Sequence, residues 1–258
     1  MVIRDSDIPL LQLHTTVLFR RLQHLELTCS HNQEIPILPY LEQIESLEIW
    51  RGTIPEYSLN LDLPLTRTLQ CLRLLRSTSS WMFGRTFKVL KTFLNHRPLF
   101  APEDFSKCEG LQVDLPACTT LELENCPMDY LRFLSCSNDQ TLRWTQFTEW
   151  TTFNLQAVNP LHDFLFTLSC LQNLDIVVPQ TLGIDSLLHV VLCEASEKGV
   201  WRDIKCVEVK VWFNTSSEAS HFFDQTVGHQ QRYEKSWKTF TITKDVRPSC
   251  YVQVNVST

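Results

Sequence analysis

Apolar residues along this chain recur in one short figure. An apolar residue or Cys is followed by two variable positions, an apolar residue, a polar residue and another apolar residue. The copies read LQHLEL from Leu22, IESLEI from Ile44, LQCLRL from Leu69, CTTLEL from Cys118, LQNLDI from Leu171, IKCVEV from Ile204 and WKTFTI from Trp237. Weaker copies stand at FKVLKT from Phe87 and around Leu142 and Trp144. Alternation within the last three positions places two apolar side chains on one face of a strand and the residue between them on the other. Strong copies follow one another at intervals of 22, 25, 49, 53, 33 and 33 residues, and each long gap holds one weak copy.

The stretches between copies change period. NPLHDFLFTL offers Asn159 as N-cap and Pro160 at the first helical position, then Leu161, Phe164, Leu165 and Leu168 at helical spacing. IDSLLHVVLCEASEKG places Ile184, Leu187, Leu188, Val191, Leu192 and Ala195 on one stripe, closed by Lys198 and Gly199. A further stripe runs from Glu218 to Tyr233 through Ala219, Phe222, Phe223 and Val227. Between Leu90 and Leu121, Pro98, Pro102 and Pro116 mark a punctuated connection with a weak strand near LQVDL. The tail YVQVNV alternates as a terminal strand does.

A short strand repeated at this period, with helical connections, predicts an α/β fold: a leucine-rich-repeat solenoid, or horseshoe. Its strands are parallel, its helices convex and its middle irregular. One domain is predicted over residues 1–258, with 1–20 as an N-terminal cap or truncated edge and 245–258 as a C-terminal strand or cap. Leu25, Leu27, Leu47, Ile49, Leu72, Leu74, Leu121, Leu123, Leu174, Ile176, Val207, Val209, Phe240 and Ile242 form the predicted core.

Composition narrows the partners. The net charge is −6, which argues against a general nucleic-acid binder and an anionic membrane surface. No apolar run reaches the length of a membrane span, and Asp5 and Asp7 stand where a secretory signal carries positive charge. A cytoplasmic or nuclear location with reduced thiols is therefore expected for the ten cysteines, which form no C-x-x-C pair or zinc spacing.

SWMFGRTFKVLKTF (80–93), VDLPACTTLELENCP (113–127), FLSC (133–136), LRW (142–144), LSCLQNLDIVVPQ (168–180) and GVWRDIKCVEVKV (199–211) together resemble a group of basidiomycete fungal F-box-like proteins with irregular leucine-rich repeats. The resemblance covers roughly residues 20 to 245 and rests on fold motifs. It implies substrate recognition for a cullin-type ubiquitin ligase. Docking to that ligase's adaptor requires an upstream F-box, for which the repeat beginning at Leu22 leaves no room.

No catalytic constellation is found. There are six glycines, none in a phosphate-cradling loop, and H-E-x-x-H and G-x-S-x-G are absent. His221 and His229 share a helical face without a third metal ligand, and Cys193 beside Glu194 has no activating His. Asn214 and Asn255 begin glycosylation sequons, which matter only in a secreted chain. Trp144, Phe147, Trp150 and Phe153 recur every three residues. A stacking platform for single-stranded nucleic acid and a 3₁₀-like turn both fit that spacing, and the acidic chain favours the turn. No cofactor and no metal are expected. What remains is the polar residue of each copy: Glu26, Glu48, Arg73, Glu122, Arg143, Asp175, Glu208 and Thr241, with Trp50, Glu124 and Lys210 beside them. On a solenoid they line the concave sheet, the surface such proteins use for recognition. The expected function is non-catalytic protein binding, to an unknown partner with basic patches.

Overall fold

In a computed structural model of the chain, the described residues are 1–4, 19–34, 37–53, 62–99, 110–136, 138–145, 158–179, 191, 201–212, 232–235, 239–247 and 250–257, those from 232 onward as backbone. The chain forms two compact units, Met1–Ser137 and Asn138–Thr258. Its sheet is mostly parallel, with few helices, in a solenoid-like arrangement of strands.

The first unit contains β1 (Val2–Arg4), β2 (His24–Glu34), β3 (Ser46–Thr53), β4 (Cys71–Leu75), β5 (Arg85–Thr86), β6 (Thr92–His96), β7 (Val113–Asp114), β8 (Thr120–Glu124) and β9 (Leu134–Ser135). Strands β1, β2, β3, β4, β6 and β8 pair in that order, all parallel. The register aligns Leu25, Leu47, Leu72, Phe93 and Leu121 in one inward column. Leu27, Ile49, Leu74, Asn95 and Leu123 form the next, and both columns are buried. The first residue of the figure is buried at Ile44, Leu69, Leu90 and Cys118 and half-buried at Leu22.

One expectation is corrected in this unit. FKVLKT is not a strand copy. The strand begins at Thr92, so the figure is LKTFLN, three residues later, with Asn95 in the second core position. That buried Asn hid the true register from a reading that looks for apolar residues. The described connections contain short 3₁₀ segments at Leu38–Tyr40, Pro64–Arg67, Ser80–Met82 and Met128–Phe133. A second parallel sheet of three two-residue strands, in the order β5-β7-β9, runs beside them. Pro39 and Pro64 stand in the first turn of two of the 3₁₀ segments, where the fixed φ of proline and its missing N–H are tolerated. The weak strand expected near LQVDL is β7. Trp81 meets Phe87 edge-on at 5.9 Å, and Phe83 meets Phe133 at 4.9 Å, filling the interior with aromatic rings.

Four residues of this unit take the same left-handed backbone conformation, Arg51 within β3 and the other three one residue past their strands. Arg51, Arg76, Arg97 and Asn125 have φ of 58°, 50°, 51° and 49°, and each lies two places beyond the second core column. The amide of Arg76 bonds the His96 carbonyl at 2.8 Å and that of Arg97 the Glu124 carbonyl at 2.6 Å, so the ladder continues through the turn. Ser77, wholly buried, accepts from the Gly52 amide at 3.2 Å and lies 3.0 Å from the Ile49 carbonyl, which binds one repeat to the next.

The second unit contains β10 (Thr141–Thr145), α1 (Val158–Thr167), β11 (Asn173–Pro179), β12 (Cys206–Trp212), β13 (Arg232–Lys235), β14 (Thr239–Arg247) and β15 (Cys250–Ser257). Repeats of 32 and 33 residues here have room for α1, which starts one residue before the expected cap and buries Phe164 and Leu165, with Leu168 buried just past its end. The indole of wholly buried Trp201 donates to the Leu165 carbonyl at 3.1 Å, joining the end of α1 to the approach to β12. The expected helix at 184–199 lies outside the described residues apart from helical, buried Val191. That at 218–233 also lies outside them, except that Arg232 and Tyr233 are strand.

Strands β10, β11, β12 and β15 are parallel, aligning Leu142, Leu174, Val207 and Val252. The copy WKTFTI departs from this. Phe240 and Ile242 lie on β14, which is antiparallel to both β13 and β15. Only two residues separate β14 from β15, and a connection that short returns the chain antiparallel; a parallel crossover takes a dozen residues or more. The terminal strand YVQVNV therefore occupies the place expected for WKTFTI. Trp144 is a buried strand residue rather than part of a turn, and Phe147, Trp150 and Phe153 lie outside the described residues.

Candidate functional site

The outward face of the first unit is a grid. One row across the strands is Glu26, Glu48, Arg73, Leu94 and Glu122; the next is Thr28, Trp50, Leu75, His96 and Glu124. Strand alternation positions both rows, because their neighbours point into the core. Beyond them the left-handed turns present Arg51, Arg76 and Arg97, all exposed.

Most of the acidic groups on this face are held from within. Glu48 accepts from the Trp50 indole N–H and lies 3.5 Å from the Arg73 guanidinium. Glu122 lies 3.0 Å from His96 Nε2, and Glu124 takes Arg97 Nε at 2.9 Å with His96 Nδ1 at 3.6 Å. Trp50 itself remains 39% exposed, and its N–H anchors the ring without withdrawing its face from water. Leu75 and Leu94 are half-buried on the neighbouring strands, so a short apolar diagonal crosses β3, β4 and β6. Sequence reading missed it because Leu94 occupies a column where every other copy in this unit carries charge, and Leu75 lies beyond the repeated figure.

In the second unit the outward row is Arg143, Asp175, Glu208 and Gln253. Lys210 Nζ lies 3.4 Å from Asp175 and 3.2 Å from Glu208. Burial pulls the Lys210 ammonium down, but the two carboxylates outweigh it and hold its pKa above the ordinary value. The two carboxylates of this row are met by Arg143 on the same row and Lys210 on the next, so this face offers little net charge. Thr241 is placed instead on antiparallel β14.

The site residues named from sequence thus divide. Glu26, Glu48, Trp50, Arg73 and Glu122 share the face of the first unit, while Arg143, Asp175 and Glu208 share that of the second. Among the described residues no group of three His, Cys, Asp or Glu side chains is arranged to hold a metal, and no helix is long and apolar enough to cross a membrane. The seven cysteines whose side chains are described, Cys29, Cys71, Cys118, Cys126, Cys136, Cys170 and Cys206, are free thiols. No family model, curated protein or solved structure matches the chain.

Proposed function

We propose that the chain is a non-catalytic protein-interaction module of the leucine-rich-repeat type, and that it binds through the outward sheet face of its first unit. The observation that carries this reading is Trp50. A large aromatic side chain stands exposed at the middle of a regular parallel sheet, held in one orientation by Glu48, which is in turn held by Arg73. Trp and Arg dominate binding hot spots, and a pre-oriented side chain loses little entropy on binding. Repeat proteins recognise partners through extended sheet surfaces of this kind.

The test is direct. A partner identified by co-purification with the tagged chain is purified, and its Kd is measured against Trp50→Ala and Leu94→Arg. Both changes are expected to weaken binding at least about tenfold. Lys88→Glu, an exposed change in the turn before β6, is expected to leave it unaltered. A partner indifferent to Trp50 and Leu94 would refute the assignment of this face.

A further inference from the structure

The arginine column shows what kind of partner fits this face. Arg51 and Arg76 follow Trp50 and Leu75 directly, and those two residues are in register on adjacent strands, which lie about 4.8 Å apart. Arg51 and Arg76 are therefore carried at corresponding positions of adjacent strands, each one residue beyond the last paired position. Among the described residues no carboxylate pairs with either, whereas Arg73 and Arg97 are both ion-paired. Each also stands at positive φ, where glycine is free of strain and a side chain is not. Backbone strain and like-charge proximity both oppose this arrangement. Glycine at both turns would relieve both without disturbing the core columns.

We infer that the partner is a polypeptide segment laid across these strands, with an apolar side chain on Trp50 and Leu75 and acidic side chains reaching Arg51 and Arg76. The inference rests on the reading of this face as the binding surface. It reverses the polarity expected from sequence, which read the carboxylates as free to attract a basic partner. Glu48 and Glu124 are paired with Arg73 and Arg97 and Glu122 lies against the His96 imidazole, so among the described residues Arg51 and Arg76 are the cations on this face left to select the ligand. Guanidinium forks favour carboxylates through bidentate, charge-assisted hydrogen bonds, and the adjacent indole and leucine supply apolar area.

The experiment is a selection of random twelve-residue peptides displayed on phage against the immobilised full chain, repeated on the double variant Arg51→Gly/Arg76→Gly and on Trp50→Ala. The wild-type chain is expected to enrich peptides that combine an apolar residue with neighbouring Asp or Glu. The glycine variant is expected to melt at or above the wild-type temperature and yet bind a selected synthetic peptide at least about tenfold more weakly, as read by fluorescence anisotropy. A purely structural role for the arginines predicts unchanged binding. Enrichment of Lys- and Arg-rich peptides whose binding is lost in Trp50→Ala would overturn the acidic partner while leaving the binding face in place. Acidic peptides that bind all three proteins equally would overturn both readings. Failure to enrich any peptide above bare matrix would count against the segment inference, leaving the face to be judged with the co-purified partner.

Discussion

Asn95 Nδ2 lies 3.4 Å from Ser79 Oγ, with both residues wholly buried. The Asn stands in a column otherwise filled by Leu27, Ile49, Leu74 and Leu123, and the backbone carbonyl of the same residue accepts from the Cys126 thiol at 3.2 Å. A polar side chain in a core column holds its place only while its partners are present. Replacing Asn95 by Ala strands the Ser79 hydroxyl and opens space, so Asn95→Ala is expected to lower unfolding free energy by about 1–3 kcal/mol in urea titration. An unchanged midpoint would mean that the buried pair is energetically idle.

Asp139 presents a sharper case. It fills the first core position of its repeat, the one held by Leu171 and Ile204 in the next two, and is wholly buried with both carboxylate oxygens lacking a hydrogen-bond partner. Burial pushes its pKa up to about 8. An unfolded Asp titrates near 3.9, so between about pH 4 and 8 the folded chain holds the extra proton. Asp139 is then expected to make stability fall as pH rises through that window, by up to about 1.4 kcal/mol per pH unit. Below the window both states are protonated and the effect vanishes. Asp139→Asn should remove this slope and Asp139→Leu should stabilise the chain at pH 7, measured as denaturation midpoints at pH 4, 6 and 8 against wild type. Parallel pH profiles for wild type and Asn variant would show that the carboxyl is solvated.

Leu174 and Asp175 are neighbours in sequence with opposite fates. Leu174 is 1% exposed in the inward column, while Asp175 faces outward beside Lys210. Leu174→Asp is expected to unfold or insolubilise the protein, because it buries an unpaired charge. Asp175→Ala loses a half-exposed ion pair and is expected to change stability by less than about 1 kcal/mol. Thermal melts of the two variants compare the faces directly; equal losses would mean that inside and outside are exchanged.

The thiols should differ in reactivity by position. Cys126 is buried, and desolvation raises its pKa well beyond the ordinary thiol range, with the Glu124 charge adding to the rise against a backbone hydrogen bond. Cys71, Cys170 and Cys206 are half-buried, while Cys29, Cys118 and Cys136 are buried. Iodoacetamide on the native protein, followed by peptide mapping, is expected to modify the half-buried group first and Cys126 only on unfolding. Early labelling of Cys126 would place it in an open region.

The sequence by itself determined where most strands lie and which way they face. Leu25, Leu47, Leu72, Leu121, Leu174 and Val207 are all buried as the repeated figure requires, because inward and outward alternation is a local property of an extended chain meeting one apolar layer. What followed from contacts between distant segments was not legible. The shift from FKVLKT to LKTFLN depends on a buried Asn whose partner lies 16 residues away. The direction of β14 depends on its hairpin to β15. The polarity of the candidate surface was decided last. Glu48, Glu122 and Glu124 read from sequence as free charges, and only the register of strands drawn from 25 to 28 residues apart brings Arg73, His96 and Arg97 against them. A charge pattern along one strand cannot specify its own neutralisation, since that is set by whichever side chain the parallel register places alongside.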